Sequence, residues 1–388
     1  TVSERFGTYQ HEIYLAGYGG TLPAFTTNPT MLESSARELL DPGPFWYVAG
    51  SAGVGSTSEA NRAAFDRWKL VPRMLTGSTE RDLSTRTLGK ELRAPVLSAP
   101  IGVQSILHPD GEIATARAAA ELGVPSVLST ASSSSIEAVA EASGDGERWF
   151  QLYWPSDSDV CANILRRARA AGFSTLVVTL DTWTLGWRPC DLDQAYLPFL
   201  QGEGVAIPFS DSVFRGKLEK SPEEDAPTAI LRWLTMMTGR DGTWDQLPFL
   251  REHWDGPIVL KGIQHVDDAR RAARAGMDGI IVSNHGGRQL DGALGALDAL
   301  APIVAAVGDQ LDVLFDSGVR TGADVVKALA LGARAVLYGR PVAYGLAHGG
   351  AEGVRHVLRS LLGELDNTLG LAGQCAVGEL TPDALQRG

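Results

Sequence analysis

Seven consecutive residues, Ser283-Asn284-His285-Gly286-Gly287-Arg288-Gln289, concentrate more usable chemistry than any other stretch of the chain. An imidazole and a guanidinium stand three positions apart, and the glycines between them let backbone approach a ligand closely. Imidazole exchanges protons near neutral pH, and guanidinium grips a carboxylate through two parallel hydrogen bonds. The pair fits proton abstraction from a group beside a bound carboxylate. A lone loop histidine or arginine is more often a helix cap or half of a surface ion pair. Here the flanking glycines, and the apolar run GIIV just before, favour the functional reading.

Other polar residues end apolar runs in the same way. Tyr153 follows WFQL, Asp181 follows TLVVTL, Lys261 follows PIVL, Asp316 follows LDVLF and Arg340 follows AVLYG. Asp181 alone reads equally well as a helix cap and as a catalytic carboxylate. Gly318 with Arg320, and Gly339 with Arg340, place glycine and arginine in two consecutive loops, an arrangement suited to a phosphate group.

These positions require a scaffold that gathers strand ends. Short apolar runs at 95–100, 126–130, 149–153, 175–181, 257–262, 279–284, 311–318 and 335–340 read as strands. Helical patterns follow at 112–122, 136–142, 160–171, 267–276, 296–307, 323–332 and 353–369. Eight strand–helix units with strands apolar on both faces imply a parallel sheet, either open or closed. In a closed (β/α)8 barrel the carboxyl ends converge on one mouth, whereas an open sheet spreads them along a ridge. No GxGxxG follows the first strand, so the α/β barrel is the expected fold. Residues 1–94, with helices expected at 31–40 and 58–68 around a Pro/Gly break at 41–44, read as an N-terminal cap on a barrel spanning 95–388. The irregular stretch 185–242 is expected to be a lid.

Composition narrows the function classes. The 388 residues are 44% hydrophobic and 21% charged, with a formal net charge of −12. That field disfavours nucleic acid and anionic lipid, so an anionic substrate must be drawn by local arginines. Three scattered cysteines support neither a disulfide framework nor a zinc site, and no metal is expected. No apolar run of about 18 residues and no signal-like start is evident, so a cytoplasmic location is expected.

The string SNHGGRQLDG resembles the active-site signature of the FMN-dependent α-hydroxy acid oxidising family. The resemblance runs from about residue 45 to the C-terminus through APIGV, QLY, TLDT, LKG, DSGVR and GRP. It is closest to the lactate 2-monooxygenase branch in HEIY (11–14), LDTWTLGWRP (180–189), LKGIQH (260–265) and LFDSGVRTGADVVKALA (314–330). The resemblance implies FMN as cofactor and His285 as catalytic base, oriented by Asp181. It implies that Arg188 and Arg288 bind the substrate carboxylate, with Tyr47 and Tyr153 as phenolic partners. Ala99, Pro100 and Ile101 would face flavin N5, and Lys261 would stand near N1 and C2. Ser129, Gln151, Thr179 and Ser283 would touch the flavin edge, and Asp316 the ribityl chain. Ser317, Gly318, Arg320, Gly339 and Arg340 would hold the phosphate.

The implied partners are a small 2-hydroxy acid and O2, in a homotetramer or homo-octamer. Gly102 matches the monooxygenase branch. RQLDG is closer to the oxidases, Cys190 replaces that branch's arginine, and Ala131 stands where glycolate oxidases carry tryptophan. The leading expectation is conversion of lactate and O2 to acetate, CO2 and water. The alternative is an oxidase releasing pyruvate and H2O2. A dehydrogenase passing electrons to a quinone or cytochrome stands third within the family. From another class, a non-redox isomerase or phosphate-ligand-binding barrel would use the same loops.

Overall fold

The computed structural model describes residues 5–238 and 242–388. Eight parallel strands close into a barrel in chain order: β1 (Val96–Ser98), β2 (Ser126–Ser129), β3 (Arg148–Leu152), β4 (Thr175–Thr179), β5 (Ile258–Ile263), β6 (Gly279–Val282), β7 (Asp312–Phe315) and β8 (Val336–Tyr338). Each coincides with a run read as a strand from the sequence, β3 and β5 extending one residue beyond it. Closure comes from β8 pairing with β1, Val336 opposite Val96 and Tyr338 opposite Ser98. The fold is an α/β barrel rather than an open sheet.

Residues that suit a strand buried on both faces build it; β4, Thr-Leu-Val-Val-Thr, is buried along its whole length. Each strand sends one apolar side chain inward: Leu97, Val127, Trp149, Val177, Val259, Ile281, Leu314 and Leu337. Leu88 and Leu92 join this cluster from a hairpin formed by Thr85–Thr87 and Lys90–Leu92. The Leu88 N–H donates to Asp312 at the start of β7, so the hairpin closes the N-terminal end of the barrel. A larger apolar layer lies between the strands and the surrounding helices.

Ahead of the barrel stand α1 (Thr8–Tyr18), α2 (Pro29–Leu39), α3 (Pro42–Ala49) and α4 (Ser56–Asp66). The expected break at 41–44 is instead the start of α3, because proline is well tolerated in the first helical turn, where its missing N–H is not needed. Helix α1 escaped sequence reading because it buries none of its residues and so has no apolar stripe. The first 94 residues serve both barrel ends, with α3 and α4 at the carboxyl-terminal mouth and the hairpin at the floor.

The 185–242 stretch is largely helical where described, with residues 239–241 lying outside the described residues. Helices Pro189–Asp193, Ala206–Phe209, Ser212–Gly216 and Ala226–Met237 occupy it, with Ile207, Phe214 and Trp233 buried. Asp211 caps Ser212–Gly216 and also accepts from Asn163 and Arg167 on the helix Ser158–Ala170, fastening the insertion to the barrel wall. The last long helix begins at Arg340 rather than near 353, and is interrupted at Gly350 with φ 56°. Arg340 is therefore the first residue of a helix.

Candidate active site

A cavity of ≈ 920 Å³ opens at the carboxyl-terminal mouth. Tyr47, Ala99, Pro100, Ile101, Tyr153, Arg188, Lys261, His285, Arg288, Asp316, Ser317, Gly318, Arg320, Gly339 and Arg340 all line it. Residues spread over nearly 300 positions of sequence meet there because consecutive strands deliver their ends to one place.

At its centre His285 Nδ1 lies 2.9 Å from Asp181 Oδ1. The carboxylate fixes the ring proton on Nδ1 and leaves Nε2 as the proton acceptor. Burial pushes the His285 pKa down, Lys261 adds to that push, and Asp181 opposes it. Burial would raise the Asp181 carboxyl, but His285 and Lys261 outweigh it and hold it below the usual carboxylate range. The pair thus rests as neutral imidazole and carboxylate. His285 adopts φ 59°, an uncommon left-handed conformation for a residue with a Cβ, and its N–H donates to Ser283 Oγ at 3.1 Å. Gly262 makes room for the pair. It has φ 108° at a register shift in β5, and a Cβ there would come within 3.1 Å of the Asp181 carboxylate.

Cations surround this base. Lys261 Nζ lies 3.3 Å from Asp316 Oδ2 and donates to Ser283 Oγ at 3.1 Å. Burial would lower the Lys261 pKa, but Asp316 and Asp181 raise it overall, so the ammonium stays charged. Arg288 Nη1 donates to Val48 O at 3.3 Å and Gly50 O at 3.0 Å. Arg340 uses the same two carbonyls, through Nε at 2.9 Å and Nη2 at 2.9 Å, and reaches Gly286 O at 3.0 Å. These carbonyls lie at the negative end of the α3 dipole, which suits cations. Arg188 donates to Arg288 O at 3.0 Å and Gln289 Oε1 at 2.6 Å.

Burial, then Arg188 and Arg340, push the Arg288 pKa down. The cluster repels itself and is relieved by an anion. The Arg288 guanidinium also sits 5.3 Å from the Tyr47 ring centroid, a cation–π distance. Burial raises both the Tyr47 and Tyr153 phenols, which stay protonated and able to donate.

Ser129, Gln151 and Thr179 do not line the cavity. They form a buried row in which Ser129 Oγ donates to Gln151 Oε1 at 2.9 Å and Gln151 Nε2 donates to Thr179 Oγ1 at 2.8 Å. Asp181 and Ser283 likewise stand behind the lining, each bonded to a residue that forms it. Sequence reading missed Val48, Val319 and Leu337 in the wall. It also missed Asn61, which exchanges two amide hydrogen bonds with Asn284 at 2.9 and 2.7 Å, and Asp291, which caps α4 through Thr57 N at 3.0 Å. Only the repeated Asn/Asp chemistry near a helix start hinted at them.

The family model described as FMN-dependent dehydrogenase matches residues 36–387. The chain belongs to that family. An FMN-dependent alpha-hydroxy acid dehydrogenase, qulF, of Penicillium citrinum is 55% identical over 98% of this chain and 96% of its own length. An L-lactate oxidase of Lysinibacillus sphaericus is 41% identical over 89% of each chain. A crystal structure of mandelate oxidase superimposes with a TM-score of 0.82 at 39% identity, covering 93% of this chain and 98% of that one. The protein is therefore an FMN-dependent (S)-2-hydroxy acid oxidoreductase with a barrel fold.

The cavity suits FMN. Its lining combines a buried ammonium, arginines beside glycine backbone, and apolar Ala99, Val319 and Leu337. Bound there, FMN supplies the acceptor for the two electrons that leave the substrate carbon.

Proposed function

We propose that the protein is an L-2-hydroxy acid oxidase that releases a 2-keto acid and, on reaction with O2, H2O2. In this reading Arg188 and Arg288 hold the substrate carboxylate, with the Tyr47 hydroxyl beside them. Tyr153 donates to the substrate oxygen at C2. His285 Nε2 takes the hydroxyl proton, and Asp181 stabilises the imidazolium that results. Lys261 offsets negative charge gathering at the cofactor ring. Ala99, Pro100 and Ile101 flank that ring, while the buried row Ser129–Gln151–Thr179, together with Ser283, braces the wall from behind. Asp316 serves the ribityl chain, and Ser317, Gly318, Arg320, Gly339 and Arg340 the phosphate. The observation that carries the proposal is the His285–Asp181 hydrogen bond in the same cavity as a self-repelling arginine cluster. A base beside an anion seat matches deprotonation next to a carboxylate.

The relatives named lactate oxidase and mandelate oxidase support the oxidase outcome over the monooxygenase outcome. Gly102 favours the latter. A Cβ there would lie 2.7 Å from the Ala131 Cβ, so the loop approaches the next one too closely for a larger residue. Both outcomes share the first half-reaction and separate when product leaves. Anaerobic mixing with lactate, mandelate and glycolate should bleach the yellow protein with at least one of them. Turnover in air should then yield equimolar keto acid and H2O2. Acetate and CO2 from lactate without free peroxide would reassign it as a monooxygenase, and absence of bleaching by any 2-hydroxy acid would remove the proposal.

A further inference from the structure

The loop after β1 runs along the cavity wall and then turns through Val103, a β-branched residue at φ 51°. Such a conformation persists only where its surroundings enforce it. Val103 N–H donates to Ala131 O at 2.8 Å, in the loop after β2, and Gln104 Nε2 donates to Ile101 O at 2.9 Å. The third restraint is a carboxylate. Glu112 Oε1 accepts the backbone N–H of Gln104 at 3.1 Å and that of Ser133 at 3.1 Å, one from each loop.

Glu112 is 3% exposed, and its Oε2 is buried without a hydrogen-bond partner among the described residues. Burying a carboxyl group is unfavourable, so a purely local helix role is a poor explanation. Its acceptor oxygen serves two loops outside its own helix, Gly111–Leu122. Beside it, Ser105 Oγ donates to the Glu203 carboxylate of the 185–242 insertion and lies 2.6 Å from the Ser133 hydroxyl.

From this geometry we infer that Glu112 is a positioning residue, clamping the β1 and β2 loops so that the Ala99–Pro100–Ile101 backbone stays fixed against the cofactor ring. The inference rests on the proposed function for the identity of what the wall faces. Burial drives the Glu112 carboxyl up to about 7 against the pull of its amide donors, with Glu203 nearby adding to the rise. Both amides reach a single oxygen, Oε1, so an uncharged acceptor of the same shape should suffice at this position. Glutamine should replace it; alanine should not.

The test uses holoenzyme carrying Glu112→Ala, Glu112→Asp or Glu112→Gln, with amide hydrogen exchange followed in both FMN-loaded and FMN-free protein. Glu112→Ala should slow anaerobic flavin reduction by at least about tenfold, since small misplacements near reacting atoms carry penalties of that order. The visible flavin bands should shift, and the Gln104 and Ser133 amides should exchange faster. Affinity for an unreactive 2-keto acid, held by the arginines, should change less than about twofold, because that seat is built from other elements. Glu112→Gln should restore the rate, the bands and the protection. Glu112→Asp, which withdraws the oxygen by one methylene, should show a partial effect even if the alanine variant does not fold.

Normal flavin reduction in a folded Glu112→Ala variant overturns the assignment. So does a slower rate accompanied by equally weakened keto-acid binding and faster exchange throughout the barrel. If no 2-hydroxy acid reduces wild-type protein, the proposed function fails instead, while amide exchange still reads the clamp.

Discussion

At the floor of the barrel, Leu88 and Leu92 lie over an interior to which every strand contributes one apolar side chain. At the mouth the chain gathers Asp181, Lys261, Asp316, Arg188, Arg288 and Arg340 around one cavity, with Lys261, Asp316 and Arg188 buried and the others half-buried. Left-handed backbone at non-glycine residues occurs at both ends: Val103, His285 and Ser317 at the mouth, with φ 51°, 59° and 86°, and Leu88 in the floor hairpin, with φ 51°. The floor satisfies itself by packing. The mouth does not, because its guanidiniums repel one another. Stability and function are thus weighted toward opposite ends of one set of strands, as expected where a rigid scaffold supports an active site.

Substitutions should sort by the end they touch. The largest effect is expected for His285→Ala, which removes the base: flavin reduction in stopped flow should fall by about 10³–10⁴-fold, with FMN retained and melting temperature little changed. Arg288→Lys comes next. A lysine cannot reproduce a bidentate grip while also reaching the α3 carbonyls, so kcat/KM should fall by about 30-fold or more, mainly through KM. Leu314→Ala should do the converse, lowering unfolding free energy by about 2–5 kcal/mol in urea titration while leaving kcat within about twofold.

The mildest contrast is in pH. Because burial lowers the His285 pKa, the neutral base persists below its usual titration, and kcat/KM should stay flat from pH 8 down past 6.5 before declining in acid. The decline belongs to the His285–Asp181 pair as a unit. If Leu314→Ala impaired flavin reduction as severely as His285→Ala, the division between the two ends would be lost.

Much of this division could be read from residues alone. The inward leucines and valines came from short runs with strand-like length and composition, and the mouth from polar residues ending those runs. His285 and Arg288 stood out through the glycines around them. What stayed hidden had no periodic or compositional signal. Helix α1 lacks an apolar stripe because it buries nothing, and Pro42 with Pro44 disguised α3 as a break. Helix α3 in turn supplies the Val48 and Gly50 carbonyls that hold Arg288 and Arg340, contacts that backbone oxygens make without leaving a mark in sequence. Glu112 is only the first residue of the helical pattern at 112–122 in the sequence, and the two amides on its oxygen are what distinguish it.

The carbonyls of Val48 and Gly50 each receive hydrogen bonds from two guanidiniums, one at the proposed substrate seat and one at the proposed phosphate seat. Any ligand that draws one of these side chains forward alters the grip on the other. Occupancy at the two seats is consequently linked in free energy, and the linkage must be mutual. With the two seats filled as proposed, FMN loading would tune affinity for the hydroxy acid by the same factor by which the hydroxy acid would tune retention of FMN, with the last turn of a short helix as the shared fulcrum.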